Sequence, residues 1–141
     1  MTINEKQDQI IEDFAMFDDW MEKYEYIIQL GKELPDMDEQ YKTESNLIKG
    51  CQSRVWLHPD YTNGKLCFTA DSDALITKGL VSMVVQVLSC HSPKEIADAE
   101  LYFVDAIGLS SHLSPTRSNG LLSMLKQMKM YSIAYISKTF Q

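Results

Sequence analysis

The chain is short of the features that staple, anchor or export small proteins. It has three cysteines in 141 residues, and an odd number does not make a secreted disulfide framework. Met1 to Asp13 is polar and acidic, where a secretory signal would be basic and then apolar. The most apolar run, Ala74 to Leu88, is interrupted by Thr77, Lys78, Ser82 and Gln86. It also falls short of the roughly 18–20 residues that span a bilayer. Linkers rich in proline or glycine are absent, and so are internal repeats. There is no glycine-rich phosphate loop, no G-x-S-x-G and no H-E-x-x-H. Cys90-His91 stands without a C-x-x-C or a second spaced histidine, so a metal site is not expected. The expectation is a cytoplasmic protein of a reducing compartment.

What is present suits one α+β domain over residues 1–141. At 45% hydrophobic residues the chain can bury a core without cross-links or metal. The formal net charge of −7 argues against nucleic acid as the main partner, because phosphate would be repelled. The charge is unevenly placed. Residues 1–44 carry 13 acids and 4 bases, about −9 net, whereas residues 117–141 carry 4 bases and no acid. Solvated helix faces account for such a pattern, and so does steering toward a protein partner.

Helix signals dominate. Asn4 with Gln7 resembles a capping box ahead of Ile10, Ile11 and Phe14. Asp19 with Glu22 caps a second helix with Trp20, Tyr24, Ile27 and Ile28 on one face, and Gly31 and Pro35 mark its end. Asp36 to Ser45 reads as a polar surface loop. Strand-like runs at Ser53–His58 and Leu66–Ala70 flank Asn63-Gly64, a hairpin dipeptide, with Pro59 at the end of the first strand. Ser72 or Asp73 caps a nearly all-apolar helix from Ala74 to about Leu88, which belongs at the centre of the domain. Gly79 inside it implies close packing against another element, since glycine there costs about 1 kcal/mol relative to alanine. Ser92-Pro93-Lys94-Glu95 opens a short helix, and Leu101 to Ile107 forms another ending at Gly108. Ser114-Pro115 opens the last helix, striped by Leu121, Met124, Leu125, Met128, Tyr131 and Tyr135. The fold class is a helix-rich α+β domain with a small antiparallel sheet packed against helices.

One cysteine stands apart. Cys51 follows Gly50, which can turn the chain sharply, and precedes a run in which Val55 and Leu57 alternate with Arg54, Trp56 and His58. Such a loop tip suits a reactive group. By position alone a small buried thiol is an equal reading. An unperturbed thiol is only about 3% ionised at pH 7, and Arg54 and Lys49 are near enough in sequence to raise that fraction. Cys67, inside a strand, and Cys90, at the end of the apolar helix, read as structural. His58 and His112 read as surface or capping groups.

Leu47-Ile48-Lys49-Gly50-Cys51-Gln52-Ser53-Arg54-Val55-Trp56 resembles the signature of the SufE family. Three further stretches match in order: Trp20 to Tyr24 with Leu30 to Pro35, Asp71 to Leu80, and Gly108-Leu109 with Leu113 to Leu121. Together they cover nearly the whole chain. The resemblance implies a SufE/IscU-like fold and a persulfide carrier that takes sulfane sulfur on Cys51 from a cysteine desulfurase. It also implies stimulation of that desulfurase, delivery to an iron–sulfur scaffold, and no turnover by this chain alone. The carrier would need no cofactor or metal; pyridoxal phosphate belongs to the SufS-type desulfurase, and a SufBCD-type scaffold is the implied recipient. Gly50, Gln52, Arg54, Asp73, Arg117 and Asn119 are the implied supports of the Cys51 loop or contacts to the partner. A Csd-type acceptor is the near alternative, although its pattern departs from Gly50-Cys51-Gln52-Ser53. An iron–sulfur scaffold is a more distant alternative, and a homodimer is compatible with the family.

Overall fold

The computed structural model describes residues 1–139. Helices α1 (Ile3–Ala15) and α2 (Trp20–Glu33) lead through two 3₁₀ turns, Glu39–Tyr41 and Glu44–Asn46, into strands β1 (Val55–Thr62) and β2 (Lys65–Ser72). Helices α3 (Leu75–Leu88), α4 (Pro93–Asp98), α5 (Phe103–Ala106), α6 (Leu109–His112) and α7 (Pro115–Thr139) follow. The sheet is a two-stranded antiparallel hairpin. The fold is therefore the expected α+β domain, rich in helix.

Helix α3 is the central post. Leu80, Val81, Met83, Val84, Val87 and Leu88 are all buried, as its lack of a polar face requires. Gly79 meets α2: a methyl built on it would lie 2.0 Å from the Ile27 carbonyl oxygen. Gly31 lies opposite, where a methyl would come within 2.9 Å of the Gly79 nitrogen. Gly31 therefore does not end α2. The helix runs on to Glu33 with Leu34 as its C-cap, because the glycine serves the helix crossing.

Several local expectations hold. Asp19 caps α2 through the Glu22 amide, and Ser92 and Glu95 form a full capping box with Pro93 at the first helical position. Asn63 and Gly64 both take positive φ, 54° and 78°, as a tight hairpin turn demands. Along α7, Leu121, Met124, Leu125 and Met128 are buried.

Others are corrected. The first cap is Thr2 with Glu5, in a reciprocal box. Asn4 and Gln7 pair by side chain within the helix, and the buried Gln7 carboxamide also bonds the Glu100 carbonyl and the Phe103 amide. Neither Ser72 nor Asp73 is the N-cap of α3; Ala74 holds that position. The polar segment before the hairpin buries Met37. The helix near residue 101 shrinks to Phe103–Ala106, with α6 added after Gly108.

Pro59 does not end β1, which pairs through to Thr62↔Lys65. Pro59 stands opposite Phe68, whose amide turns away to the Ser89 hydroxyl at 2.8 Å. No ladder bond is lost at that pair.

The outer edge of β2 decides the fate of the other two cysteines. Leu66 exchanges backbone hydrogen bonds with Cys90 and His91, each 2.8 Å. That pairing brings Cys67 and Cys90 to a Cα separation of 4.1 Å, and their sulfurs are bonded. The two cysteines read as structural are joined in a cross-link, a pairing not expected from the sequence, and Cys51 is left as the free thiol.

Two stability measurements check this packing. Gly79→Ala should destabilise the protein by about 2 kcal/mol or more in urea, since overpacking against backbone exceeds the roughly 1 kcal/mol gain in helix propensity. A smaller loss would mean that α2 and α3 separate freely. Titration of Cys51→Ser under non-reducing denaturing conditions should find no free thiol, and reduction should lower stability by about 2–4 kcal/mol.

Candidate functional site

The Cys51 loop is closed at its neck. The Ile48 amide donates to the Val55 carbonyl at 2.8 Å, and Leu47 bridges to Trp56. A second clasp comes from the segment before α3. The Asp73 carboxylate accepts from the Arg54 amide at 3.0 Å, and the Asp73 amide donates to the Arg54 carbonyl at 3.2 Å. Asp73 thus holds the loop rather than capping a helix. Between the clasps Gly50 takes φ +94°, and a methyl there would lie 2.8 Å from the Ser123 hydroxyl oxygen. Only glycine fits both the angle and the gap.

Asp71, two residues earlier, ties this region to its surroundings. Its carboxylate meets Lys42 at 3.1 Å and Lys78 at 3.3 Å and accepts from the Ser72 amide at 2.7 Å. Burial pushes the Asp71 carboxyl up, but the hydrogen bonds from Lys42, Ser72 and Lys78 outweigh it and hold it below the usual carboxylate range. Asp71 was not singled out in the sequence; an acid just before a buried helix was the available signal.

Cys51 points inward. Its half-buried thiol donates to the Gly120 carbonyl at 3.6 Å, a weak sulfur hydrogen bond. It opens on a cavity of about 370 Å³ between the loop, α3 and the start of α7. Apolar walls come from Val55, Leu80, Val81, Leu121 and Met124, and a polar mouth from Gln52, Thr77, Ser114 and Arg117. A methyl on Gly120 would lie 3.2 Å from the Cys51 sulfur. This glycine sits inside a helix, where it costs stability. The logic that marks Gly79 would have marked Gly120 as well.

The remaining candidates divide. Gln52 and Arg117 line the cavity with Cys51. Asn119 is exposed and lines none of it. Arg54 contributes its backbone to the clasp, while its side chain borders a separate hollow with Lys42, Glu44 and Trp56. Lys49 lines another hollow behind the loop. Neither cation activates the thiol, and burial pushes the Cys51 thiol above the ordinary cysteine value. Arg54 and Lys49, near Cys51 in the sequence, therefore do not raise its thiolate fraction in this conformation. His58 stacks on Tyr41 at 3.8 Å and His112 on Trp20 at 3.9 Å, both away from the cavity lining. Among the described residues no group of three or more His, Cys, Asp or Glu is placed to hold a metal, and no helix is long and apolar enough to cross a membrane.

Such a thiol should be slow with soluble reagents. Iodoacetamide alkylation of Cys51 should titrate above the free-cysteine value of about 8.5, because burial favours the neutral form. Asp73→Ala, which removes the carboxylate bond of this clasp and keeps its backbone bond, should accelerate alkylation at pH 7.5 at least five-fold, the equivalent of about 1 kcal/mol or more. Equal rates in the two proteins would mean that Asp73 does not hold the loop.

Comparison with known proteins agrees with this architecture. The family model described as "SufE: Fe-S metabolism associated domain" matches residues 8–132. An uncharacterized SufE-like protein of Rhizobium meliloti (strain 1021) is 43% identical over 127 residues, covering 86% of this chain and 91% of that protein. A SufE-like protein of Synechocystis is 36% identical over 127 residues, covering 90% and 80%. The solution structure of a hypothetical protein from Thermus thermophilus aligns over 94% of this chain and 96% of that one, with a TM-score of 0.77 at 19% identity. At that identity the likeness speaks for the fold alone. The chain belongs to the SufE family, whose domain is associated with iron–sulfur metabolism.

Proposed function

We propose that the protein is a sulfur carrier that accepts sulfane sulfur on Cys51 from a pyridoxal-phosphate-dependent cysteine desulfurase of the SufS type. It then passes that sulfur to an iron–sulfur scaffold of the SufBCD type. One observation carries the reading: the free thiol sits on a doubly clasped loop and faces a cavity of about 370 Å³. Compared with the roughly 30 Å³ share of a water molecule, that space accommodates an added sulfur atom. Apolar walls would shield it from the small thiols that reduce persulfides.

The transfer is a thiol exchange. The Cys51 thiolate attacks the outer sulfur of the donor's cysteine persulfide, and a new S–S bond forms at Cys51. The donor's S–S bond breaks, its cysteine leaves as thiolate, and that thiolate takes the proton Cys51 gave up. Electrons balance without an external oxidant. In the inward conformation the thiol is neutral and shielded, so transfer requires the loop to turn outward about Gly50. Exposure restores the ordinary thiolate fraction. Gly50, Gln52, Asp73 and Arg117 then govern how the loop is held and released, and Arg54 contributes its backbone. Asn119, exposed one turn into α7, is assigned to the partner's side.

The direct test incubates the protein with an active desulfurase and free cysteine and reads Cys51 by intact-mass and peptide spectrometry. A mass gain of one sulfur on the Cys51 peptide is expected, together with faster desulfurase turnover. Cys51→Ser should abolish both while leaving the fold intact. A Cys51→Ser protein that still gives full stimulation would refute the carrier.

A further inference from the structure

Behind the Cys51 loop lies a second hollow of about 390 Å³, between residues 45–49 and α7. Its floor is apolar: Ile48 is buried, with Leu47, Met130 and Tyr131 around it. Its rim carries Lys49 and Lys126, both exposed, and no acidic residue lines it. Neither lysine makes an ion pair among the described residues, as is true of most of the chain's cations. Lys129, close by on α7, is taken up by the Ala99 carbonyl. In a protein of net charge −7, two unpaired cations beside an apolar floor mark where an anionic surface meets no repulsion.

The outer rim continues along α7. Leu122, Lys126, Met130 and Ile133 recur at spacings that share one helix face. Leu122 is 59% exposed, Met130 53% and Ile133 56%. Nothing in the described chain covers this face. Its mixture of cations and apolar side chains suits a segment that offers carboxylates next to an apolar anchor.

Placement gives the groove its meaning. Ser123 lies on its wall and is the residue that Gly50 meets at close range. Ile48, in its floor, donates the neck hydrogen bond to Val55. An occupant would therefore touch both supports of the loop without touching Cys51 itself.

We propose that this groove is the seat of an acidic, apolar-anchored segment of the desulfurase, with Lys49 and Lys126 pairing with its carboxylates. The proposal rests on the carrier reading given above. Gripping the carrier here leaves the opposite side of the loop free to present sulfur.

The test measures desulfurase turnover against carrier concentration for wild type and for Lys49→Glu/Lys126→Glu, whose altered side chains are exposed. The double variant should need at least ten-fold more carrier for half-maximal stimulation at low salt, with the saturated rate unchanged. Added salt should weaken the wild type strongly and the variant little. Lys49→Arg/Lys126→Arg should restore affinity, and Met130→Asp should weaken it. Binding of Cys51→Ser and its corresponding groove variants to the desulfurase, followed by calorimetry, should give the same order without any sulfur transfer. Unchanged half-saturation and salt response in the double charge reversal would overturn the proposal. So would a change in oligomeric state, which would make the groove an interface between copies, or displacement of the desulfurase by an RNA oligomer. If wild type binds the desulfurase through these lysines but gains no sulfur on Cys51, the carrier reading fails and the docking groove stands.

Discussion

The structure depends on how closely α3 is approached from every side. At Gly79 the α2 backbone comes so near that no side chain fits between the helices. Leu80 and Val81, the next two residues, turn to the Cys51 cavity. The start of α3 is preceded by Asp71 and Asp73, which fix the surrounding loops. Its end leads into the residues that pair with β2 and carry the Cys67–Cys90 bond. A shift of this helix would disturb the cavity wall and the loop clasp together. The most closely packed helix is thus also the wall of the Cys51 cavity.

The loop itself is held by few interactions. One carboxylate–amide bond, two backbone bonds and a weak thiol–carbonyl contact keep Cys51 inward. The neutral bonds among these contribute about 1 kcal/mol each net, and the carboxylate–amide bond about 1.5–3 kcal/mol. On the carrier reading, a partner that binds an outward form of the loop better by more than this sum inverts the population. Heavier anchoring, such as an ion pair from Arg54 or Lys49, would have made release costly. Both residues instead line other hollows.

Much of this was legible in the sequence where a local signal has a single physical cause. Asn63-Gly64, Ser92-Pro93-Lys94-Glu95 and the apolar run of α3 each dictate one structure. Signals that serve two purposes misled. Gly31 resembles a helix stop but permits a helix crossing, and Pro59 resembles a strand end but sits where the ladder needs no donor. Asp73 resembles a cap and binds the loop instead. The Cys67–Cys90 pairing depends on the outer edge of β2 meeting residues 89–91, a long-range contact that no spacing encodes. The turn at Gly50 and the strand after it were legible around Cys51, whereas the inward orientation of its thiol depends on Gly120, 69 residues away.

That orientation resolves a chemical conflict. A thiolate reactive enough to accept sulfur at all times would also react with oxidants and small thiols. Raising its ionisation with a fixed nearby cation would make reactivity permanent. Burial against the Gly120 carbonyl does the opposite: it disfavours the thiolate, and on the carrier reading that penalty disappears as the loop turns out. Reactivity then follows position. Lys49 and Lys126 line the hollow behind the loop, not the cavity that Cys51 faces. On the carrier reading proposed above, the donor's surface opens the loop, and transfer is timed by that contact rather than by a fixed activating group.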